Sequence, residues 1–207
     1  MVSRQGISVL ASETNFCNTQ MRLGENWYRC RNGVRMAEIW DVYDEEGKKT
    51  GKTMSRGVPT HGEYMLCVHV YLHTPGGKFL VQKRSKSKES HPGVWDVTGG
   101  AVLCGEESFD GAKRETLEEV GIDISDAKVR FVGRVKKKKS FADVYFVEKE
   151  FDIKDCVLQK EEVEEVRLVD RKELLDLQMN DRLRDAAYME VIETAVRQMD
   201  VSGTGKT

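Results

Sequence analysis

One segment of the chain, from Gly100 to Ile122, constrains the fold more than any other. It reads GAVLCGEESFDGAKRETLEEVGI, and its central part predicts an amphipathic helix from about Glu107 to Val120. At about 100° per residue, four of its side chains share a stripe that faces a core. These are Phe109, Ala112, Thr116 and Val120, with Lys113 and Leu117 on the flank. Gly121 follows the helix, at the position where a left-handed glycine commonly ends one.

The adjoining face of this helix carries three carboxylates, those of Glu115, Glu118 and Glu119. Their spacing of i, i+3 and i+4 places them within an arc of about 100°. Like charges at this spacing repel, and the last turn also carries the negative end of the helix dipole. Arg114 can pair with only one or two of them, so a further cation is expected. Clustered oxygen ligands favour a hard divalent ion, Mg²⁺ or Mn²⁺, which shares its coordination shell with water and phosphates. The sequence therefore predicts a phosphorylated substrate.

The spacing of the whole segment resembles the signature of the Nudix hydrolases. That signature is G-x5-E-x7-R-E-u-x-E-E-x-G-u, in which u is usually aliphatic. The matching residues are Gly100, Glu106, Arg114, Glu115, Glu118, Glu119, Gly121 and Ile122. Thr116 departs mildly, at a u position. A solvated acidic helix face is the ordinary interpretation of ExxEE alone, but the flanking matches favour the family.

The resemblance implies a role for each charged residue of the segment. The implied metal ligands are the Gly100 carbonyl and the carboxylates of Glu115, Glu118 and Glu119. Arg114 would orient these carboxylates, and Glu106 would pair with Arg114 rather than bind the metal. Glu115, Glu118 and Arg114 would carry the catalytic roles. The implied activity is that of a Mg²⁺-dependent pyrophosphohydrolase, with Mn²⁺ as a second candidate, which cleaves the diphosphate linkage of a small nucleoside diphosphate derivative.

Charged residues outside the segment are weaker candidates. Glu162, in the run QKEEVEEVRLV, is our choice for a general base or an extra metal ligand, although a polar edge strand kept soluble by its charges is equally expected. Lys83 and Arg84 end a strand and are candidates for contact with substrate phosphates, with ordinary surface residues as the alternative. The lysine run 136–139 predicts a solvated hairpin tip, and phosphate steering or RNA contact is the alternative.

Three further stretches resemble the branch of the family that includes isopentenyl diphosphate isomerase and its hydrolase relatives. They are WDVYDEEGKKTGKTMSRG, FLVQKRS and HPGVWDVTGG. Thr98, where many Nudix hydrolases carry Pro, supports this placement. The isomerases, however, use a catalytic Cys in a VCGHP-like segment, whereas this chain reads VTGGAV, with Cys67 and Cys104 elsewhere. Hydrolysis is therefore favoured over isomerisation, and a nucleotide-binding module without catalysis is the third hypothesis.

The order of predicted elements indicates an α/β/α sandwich with a mixed sheet. Strands are expected at 38–43, 64–72, 78–83, 95–98, 128–135, 142–151 and 163–169. The acidic helix, a second long helix over 181–199 and a short helix over 171–177 complete the set. Interleaved strands with two main helices predict a sheet covered on both faces, as the resemblance also implies. We predict an N-terminal extension at 1–36, the Nudix domain at 37–200 and a flexible tail at 201–207.

Composition argues against several classes of partner. The formal net charge of −2 at pH 7 gives no overall attraction to nucleic acid or to an anionic membrane. The longest apolar run, 64–72, is too short to span a bilayer, and the N-terminus lacks a signal-peptide core. Five cysteines without a CxxC pair indicate neither a disulfide framework nor a zinc site. A cytoplasmic enzyme with a small-molecule substrate is expected, and a homodimer is left open.

Overall fold

The computed structural model describes residues 38–179 and 186–203. In chain order, the strands of this part are β1 (Ile39–Tyr43), β2 (Lys49–Ser55), β3 (Met65–His73), β4 (Phe79–Arg84), β5 (Trp95–Asp96), β6 (Thr98–Ala101), β7 (Lys128–Lys136), β8 (Ser140–Glu148) and β9 (Val163–Val169). The α-helices are α1 (Ser108–Val120), α2 (Arg171–Met179) and α3 (Ala186–Gly203), and a short 3-10 helix spans Ile153–Asp155.

Seven of these strands form one mixed sheet around β3. On one side β3 pairs in parallel with β8, which pairs in turn with β7. On the other side β3 pairs antiparallel with β6, and its last residue, His73, pairs with Phe79 of β4. Strand β4 also pairs antiparallel with β5 and β9. The parallel pair at the centre explains why β3 and β8 are the most apolar strands, since both of their faces are covered.

Each face of this sheet packs against helix, which makes two cores. Alternate side chains of β3, among them Val68 and Val70, lie in the core under α1 together with Ala112 and Val120. The opposite face sends Tyr71 into the core under α2 and α3. This alternation follows from the two-residue period of a strand. The predicted α/β/α sandwich is therefore confirmed.

Strands β1 and β2 form a separate antiparallel hairpin beside the main sheet. Tyr43 of β1 and Tyr64 exchange two main-chain hydrogen bonds of 2.8 and 2.9 Å, which join the hairpin to the start of β3. The hairpin turn is also fixed by Arg134 of β7, whose Nη1 donates to the Gly47 carbonyl at 3.0 Å.

Most predicted elements lie within a few residues of their expected positions. The acidic helix spans Ser108–Val120, as predicted, and the left-handed Gly121 follows it at φ 76°. The sequence predicts no strand between residues 43 and 64, and this was wrong, because β2 spans Lys49–Ser55. Nearly all side chains of β2 are exposed, so no apolar alternation marks it as a strand.

Some predictions lie outside the described residues. These are the extension at 1–36 and the first residues of the helix predicted over 181–199, which is described from Ala186 onward. Helix α3 continues to Gly203, and 204–207 are not described, so the division into three regions stays a prediction. In the described part of the chain, no helix is both long and apolar enough to cross a membrane.

Candidate active site

Two consecutive glycines of β6 let the acidic face of α1 approach the sheet. A Cβ atom on Gly100 would lie 2.3 Å from the carboxyl carbon of Glu115. One on Gly99 would lie 2.1 Å from the carbonyl oxygen of Val68 in the neighbouring strand. The glycines thus permit close packing on both sides of β6, and the helix carboxylates lie against its main chain.

Glu119 is the most deeply placed of the three helix carboxylates and is hydrogen-bonded to the sheet. Its Oε2 accepts from Nε2 of Gln82 at 2.8 Å and from the N–H of Gly99 at 3.0 Å. Thr98 donates to the other end of the Gln82 amide at 3.4 Å, which orients that side chain. Gln82 was not predicted as a site residue, although a buried amide within the apolar run of β4 is the signal that could have indicated it.

Arg114 lies among the remaining carboxylates. Its Nε and Nη2 donate to the two oxygens of Glu106 at 2.8 and 3.1 Å, and Nη2 also donates to the Ala101 carbonyl at 2.8 Å. Its Nη1 is shared between Glu115 at 2.8 Å and Glu118 at 3.3 Å. The expected pairing of Arg114 with Glu106 is confirmed, and the bidentate geometry fixes the guanidinium plane.

Burial dominates the electrostatics of this cluster. It raises the pKa of Glu119 to about 8, assisted by the charge of Glu115 and opposed by the two hydrogen bonds from the sheet. Burial likewise raises the pKa of Glu118 to about 7, although the charge of Arg114 opposes this shift. Burial also raises the pKa of Glu115. For Arg114, burial would lower the pKa, but the charges of Glu115, Glu106 and Glu118 outweigh it, so the net shift is upward.

Comparison with known proteins identifies the family to which this arrangement belongs. The NUDIX domain model matches residues 63–190, more than half of the chain. The chain belongs to the Nudix family. An uncharacterised Nudix hydrolase of Listeria monocytogenes is 40% identical over 141 residues, which cover 66% of this chain and 82% of that protein. Nudix hydrolase 3 of Arabidopsis thaliana is 33% identical over 151 residues, which cover 66% of this chain and 20% of that protein.

A solved structure shares the Nudix fold. The crystal structure of DR0079 from Deinococcus radiodurans superposes with a TM-score of 0.61 at 22% identity, covering 74% of this chain and 97% of that one. With the fold and the named hydrolase relatives in agreement, the protein is an enzyme of the Nudix pyrophosphohydrolase class.

The donor chemistry of the carboxylate cluster, formed by Glu106, Glu115, Glu118 and Glu119, fits a hard divalent cation. The carboxylates of Glu106, Glu115 and Glu118 share a single buried guanidinium, that of Arg114. Glu119 accepts hydrogen bonds only from neutral N–H groups, those of Gln82 and Gly99, among the contacts described above. Within residues 38–179 and 186–203, no three side chains of the His, Cys, Asp and Glu types are placed so that they could together hold a metal ion. The oxygen donors nevertheless match the preference of Mg²⁺ and Mn²⁺, whose remaining ligands come from water and substrate.

Lys83 and Arg84 each contact residues outside the carboxylate cluster, so their predicted contact with substrate phosphates stays a prediction. Lys83 follows Gln82 in β4 and points to the other face of the strand, where its Nζ lies 3.6 Å from Glu164. Arg84 donates from Nε and Nη2 to the Ser90 carbonyl at 3.2 and 3.0 Å. Both side chains have contacts that stabilise the local structure.

Glu162 immediately precedes β9, and its carboxylate forms an ion pair with Lys88. The side chain of Lys88 is only 15% exposed. Sequence reasoning passed over this lysine, because nothing local distinguishes it from its exposed neighbour Lys86.

The lysine run at 136–139 contacts the protein itself. Nζ of Lys136 donates to the Glu45 carbonyl at 2.8 Å and lies 4.7 Å from the ring centroid of Tyr64. Nζ of Lys139 donates to the Thr60 carbonyl at 3.1 Å. These contacts support a structural role for the two lysines at the hairpin tip.

Proposed function

We propose that this Nudix hydrolase uses Mg²⁺, or Mn²⁺ in its place, to cleave the diphosphate linkage of a nucleoside diphosphate derivative. One observation carries the proposal: α1 holds the carboxylates of Glu115 and Glu119 against β6, and a single buried guanidinium is shared between Glu115 and Glu118. Such an arrangement is costly for stability alone, since buried charges need compensation. A divalent cation and the phosphates that accompany it supply that compensation.

The roles of the residues follow from their positions. Glu115, Glu118 and Glu119 would hold the metal, with the Gly100 carbonyl as a further ligand. When bound, the metal supplies Lewis-acid stabilisation of the phosphate oxygens and a more acidic water. Arg114 keeps the carboxylates in place, because Glu106 and the Ala101 carbonyl fix its guanidinium from the opposite side.

In the reaction, a water oxygen forms a new bond to one phosphorus atom while the bridging P–O bond breaks. A carboxylate of the cluster takes the water proton, and the leaving phosphate oxygen takes the electron pair. Two phosphorylated fragments, or a monophosphate and inorganic phosphate, are the expected products. Charge on the leaving oxygens is stabilised by preorganised cationic groups.

Isomerisation is the rival activity, because several stretches of the chain resemble the isopentenyl diphosphate isomerase branch. The cysteine positions favour hydrolysis. Cys67 packs on the face of β3 away from α1 and donates to the Phe141 carbonyl at 3.2 Å. Cys104 is exposed in the turn that follows β6. Neither thiol stands in the segment after Trp95 where the isomerases carry their catalytic Cys.

We also propose a cytoplasmic location and the three-region division at 1–36, 37–200 and 201–207. The cysteine usage, typical of reduced thiols, and the small net charge support the first. The compact unit that begins at Glu38 supports the boundary near residue 37.

A phosphate-release screen tests the proposal. Nucleoside diphosphates, nucleotide sugars, dinucleoside polyphosphates, coenzymes and capped RNA are incubated with the protein and Mg²⁺ or Mn²⁺. Glu118→Gln should lower turnover of each cleaved substrate by at least about 100-fold, whereas the exposed Glu107→Gln should retain it. Wild-type rates for Glu118→Gln would contradict the mechanism. Tight nucleotide binding by the wild type without release across the panel would instead support a non-catalytic module, and allylic product would support isomerisation.

A further inference from the structure

The loop between β4 and β5 is fastened to the segment that precedes β9. The N–H of Ser85 donates to the Glu162 carbonyl at 2.8 Å, and Oγ of Ser87 donates to the Glu161 carbonyl at 3.2 Å. The Lys88 ammonium then pairs with the Glu162 carboxylate. These three contacts hold the loop by both main chain and side chain, so Lys88 has a defined position.

The segment before β9 is itself fastened to the end of α1 that carries the metal-binding carboxylates. The N–H of Gln159 donates to the main-chain carbonyl of Glu119 at 3.1 Å. The N–H of Val157 donates to the main-chain carbonyl of Val120 at 3.0 Å. The N–H of Glu162 donates in turn to the Gln159 carbonyl at 2.8 Å. One short segment therefore connects the helix that holds Glu119 to the loop that holds Lys88.

The charge of Lys88 acts on the carboxylate cluster. Burial lowers the pKa of this lysine, as does the charge of Arg84, whereas the charges of Glu119 and Glu115 oppose the shift. Its neighbour Lys86 has a side chain that is 78% exposed and lies 3.7 Å from Glu164. A buried ammonium is costly without a negative partner. Glu162 supplies one such partner, and the carboxylates of the cluster add to it.

We propose that Lys88 binds the diphosphate group of the substrate beside the metal-binding carboxylates, and that Glu162 is the positioning residue that holds it there. This inference rests on the proposed function. An ammonium is a compact charge suited to a phosphate oxygen, and it needs no fixed orientation. The carboxylate of Glu162, which the sequence suggested as a general base, is already engaged in the ion pair with Lys88.

The main test compares Lys88→Gln with Lys86→Gln, a matched control on the same loop. Steady-state kinetics use the best substrate of the screen, and calorimetry measures the affinity for methylenediphosphonate in the presence of Mg²⁺. Lys88→Gln should lower kcat/KM by about 100-fold and weaken methylenediphosphonate binding by about tenfold or more. Lys86→Gln should change each by less than about twofold. Equal effects of the two substitutions would overturn the proposal.

A second comparison separates positioning by Glu162 from base catalysis. If Glu162 acts through Lys88, the double variant Lys88→Gln/Glu162→Gln should have nearly the same kcat/KM as Lys88→Gln. The effects of two substitutions within one interaction are not additive. The fall of kcat/KM at low pH, which reports protonation of the general base, should then persist in Glu162→Gln. Independent, multiplying losses together with disappearance of that fall would show that Glu162 is the base and would refute its positioning role. Lys88→Arg keeps the charge and should recover part of the lost affinity.

Failure of this inference is distinguishable from failure of the proposed function. An active wild-type enzyme whose Lys88→Gln variant matches Lys86→Gln contradicts the inference alone. A wild type that releases no phosphate from any substrate contradicts the hydrolase function. In that case, loss of methylenediphosphonate binding in Lys88→Gln still supports Lys88 as the diphosphate ligand, and unchanged binding opposes it. Thermal unfolding of each variant verifies that it is folded.

Discussion

Gly100 lies so close to Glu115 that a Cβ atom added to the glycine would stand 2.3 Å from the carboxyl carbon of the glutamate. Gly99, the preceding residue of β6, is equally crowded. A Cβ atom added to it would lie 2.1 Å from the carbonyl oxygen of Val68. The first contact involves a side chain and the second a main chain, so alanine at the two positions should have different consequences.

Gly100→Ala should affect activity more than stability. The added methyl group displaces the Glu115 carboxylate from β6, and we expect kcat to fall by about 100-fold because a misplaced ligand misaligns the reacting groups. Isothermal titration with Mg²⁺ should show weaker binding. Gly133→Ala in β7, where a Cβ would meet no atom within 4 Å, is the control. An activity equal to that of the control would contradict the role of this contact.

Gly99→Ala should instead destabilise the fold. The methyl group would collide with the main chain of β3, so the pairing of β6 with β3 must shift. Overpacking of this kind costs about 1–3 kcal/mol, and a collision with main chain is expected at the upper end. Urea unfolding measures the loss, again with Gly133→Ala as reference. A variant as stable as the reference would show that β6 accommodates the methyl group.

Glu106→Gln should destabilise the protein by about 3 kcal/mol, because it removes the charge that holds the buried Arg114 in a bidentate pair. Glu107→Gln, one residue further along, changes an exposed carboxylate and should cost less than about 0.5 kcal/mol. Chemical unfolding in EDTA compares the two. Equal stabilities would mean that Arg114 finds compensation in the other carboxylates alone.

The pH dependence of stability should reverse with metal. In the folded protein the pKa values of Glu118 and Glu119 are raised to about 7 and about 8. Between their unfolded values and these pH values, the folded state retains protons that the unfolded state has released, so stability without metal falls as the pH rises toward 8. Metal binding requires the ionised forms, so stabilisation by Mg²⁺ grows over the same interval.

Thermal unfolding from pH 6.5 to 9, in EDTA and in excess Mg²⁺, measures this dependence. Glu119→Gln is the control, since it cannot ionise and should flatten part of the EDTA curve. A wild-type EDTA curve indistinguishable from that of Glu119→Gln would contradict the burial of this carboxylate.

Asp143→Asn should weaken the fold without altering the chemistry. Asp143 is buried in β8 and receives two hydrogen bonds from Arg134, at 2.6 and 2.8 Å. Arg134 belongs to β7, on the side of β8 that faces away from β3 and β6. We expect a loss of about 3 kcal/mol with kcat unchanged. Glu148→Gln, which removes the exposed contact with Lys128, should cost less than about 1 kcal/mol. A loss of kcat in Asp143→Asn below its unfolding temperature would contradict this separation.

The helix of the active site could be read from the sequence because its information is local. The period of about 3.6 residues places the core stripe and the acidic face within 13 residues, and the Glu106–Arg114 pair spans only eight positions. The strands that alternate or run apolar on both faces were predicted for the same reason. Strand β2 was missed because its exposed side chains carry no such pattern.

Only the tertiary structure decided which distant residues meet the helix. Gln82 reaches Glu119 across 37 positions, and Lys88 reaches Glu162 across 74. The first contact depends on the register of β4, because a one-residue change would send Gln82 to the other face of the sheet. The second depends on the pairing of β4 with β9, which brings the loop after β4 to the segment before β9. Local spacing thus determined the carboxylate cluster, whereas strand register determined its neutral and cationic partners.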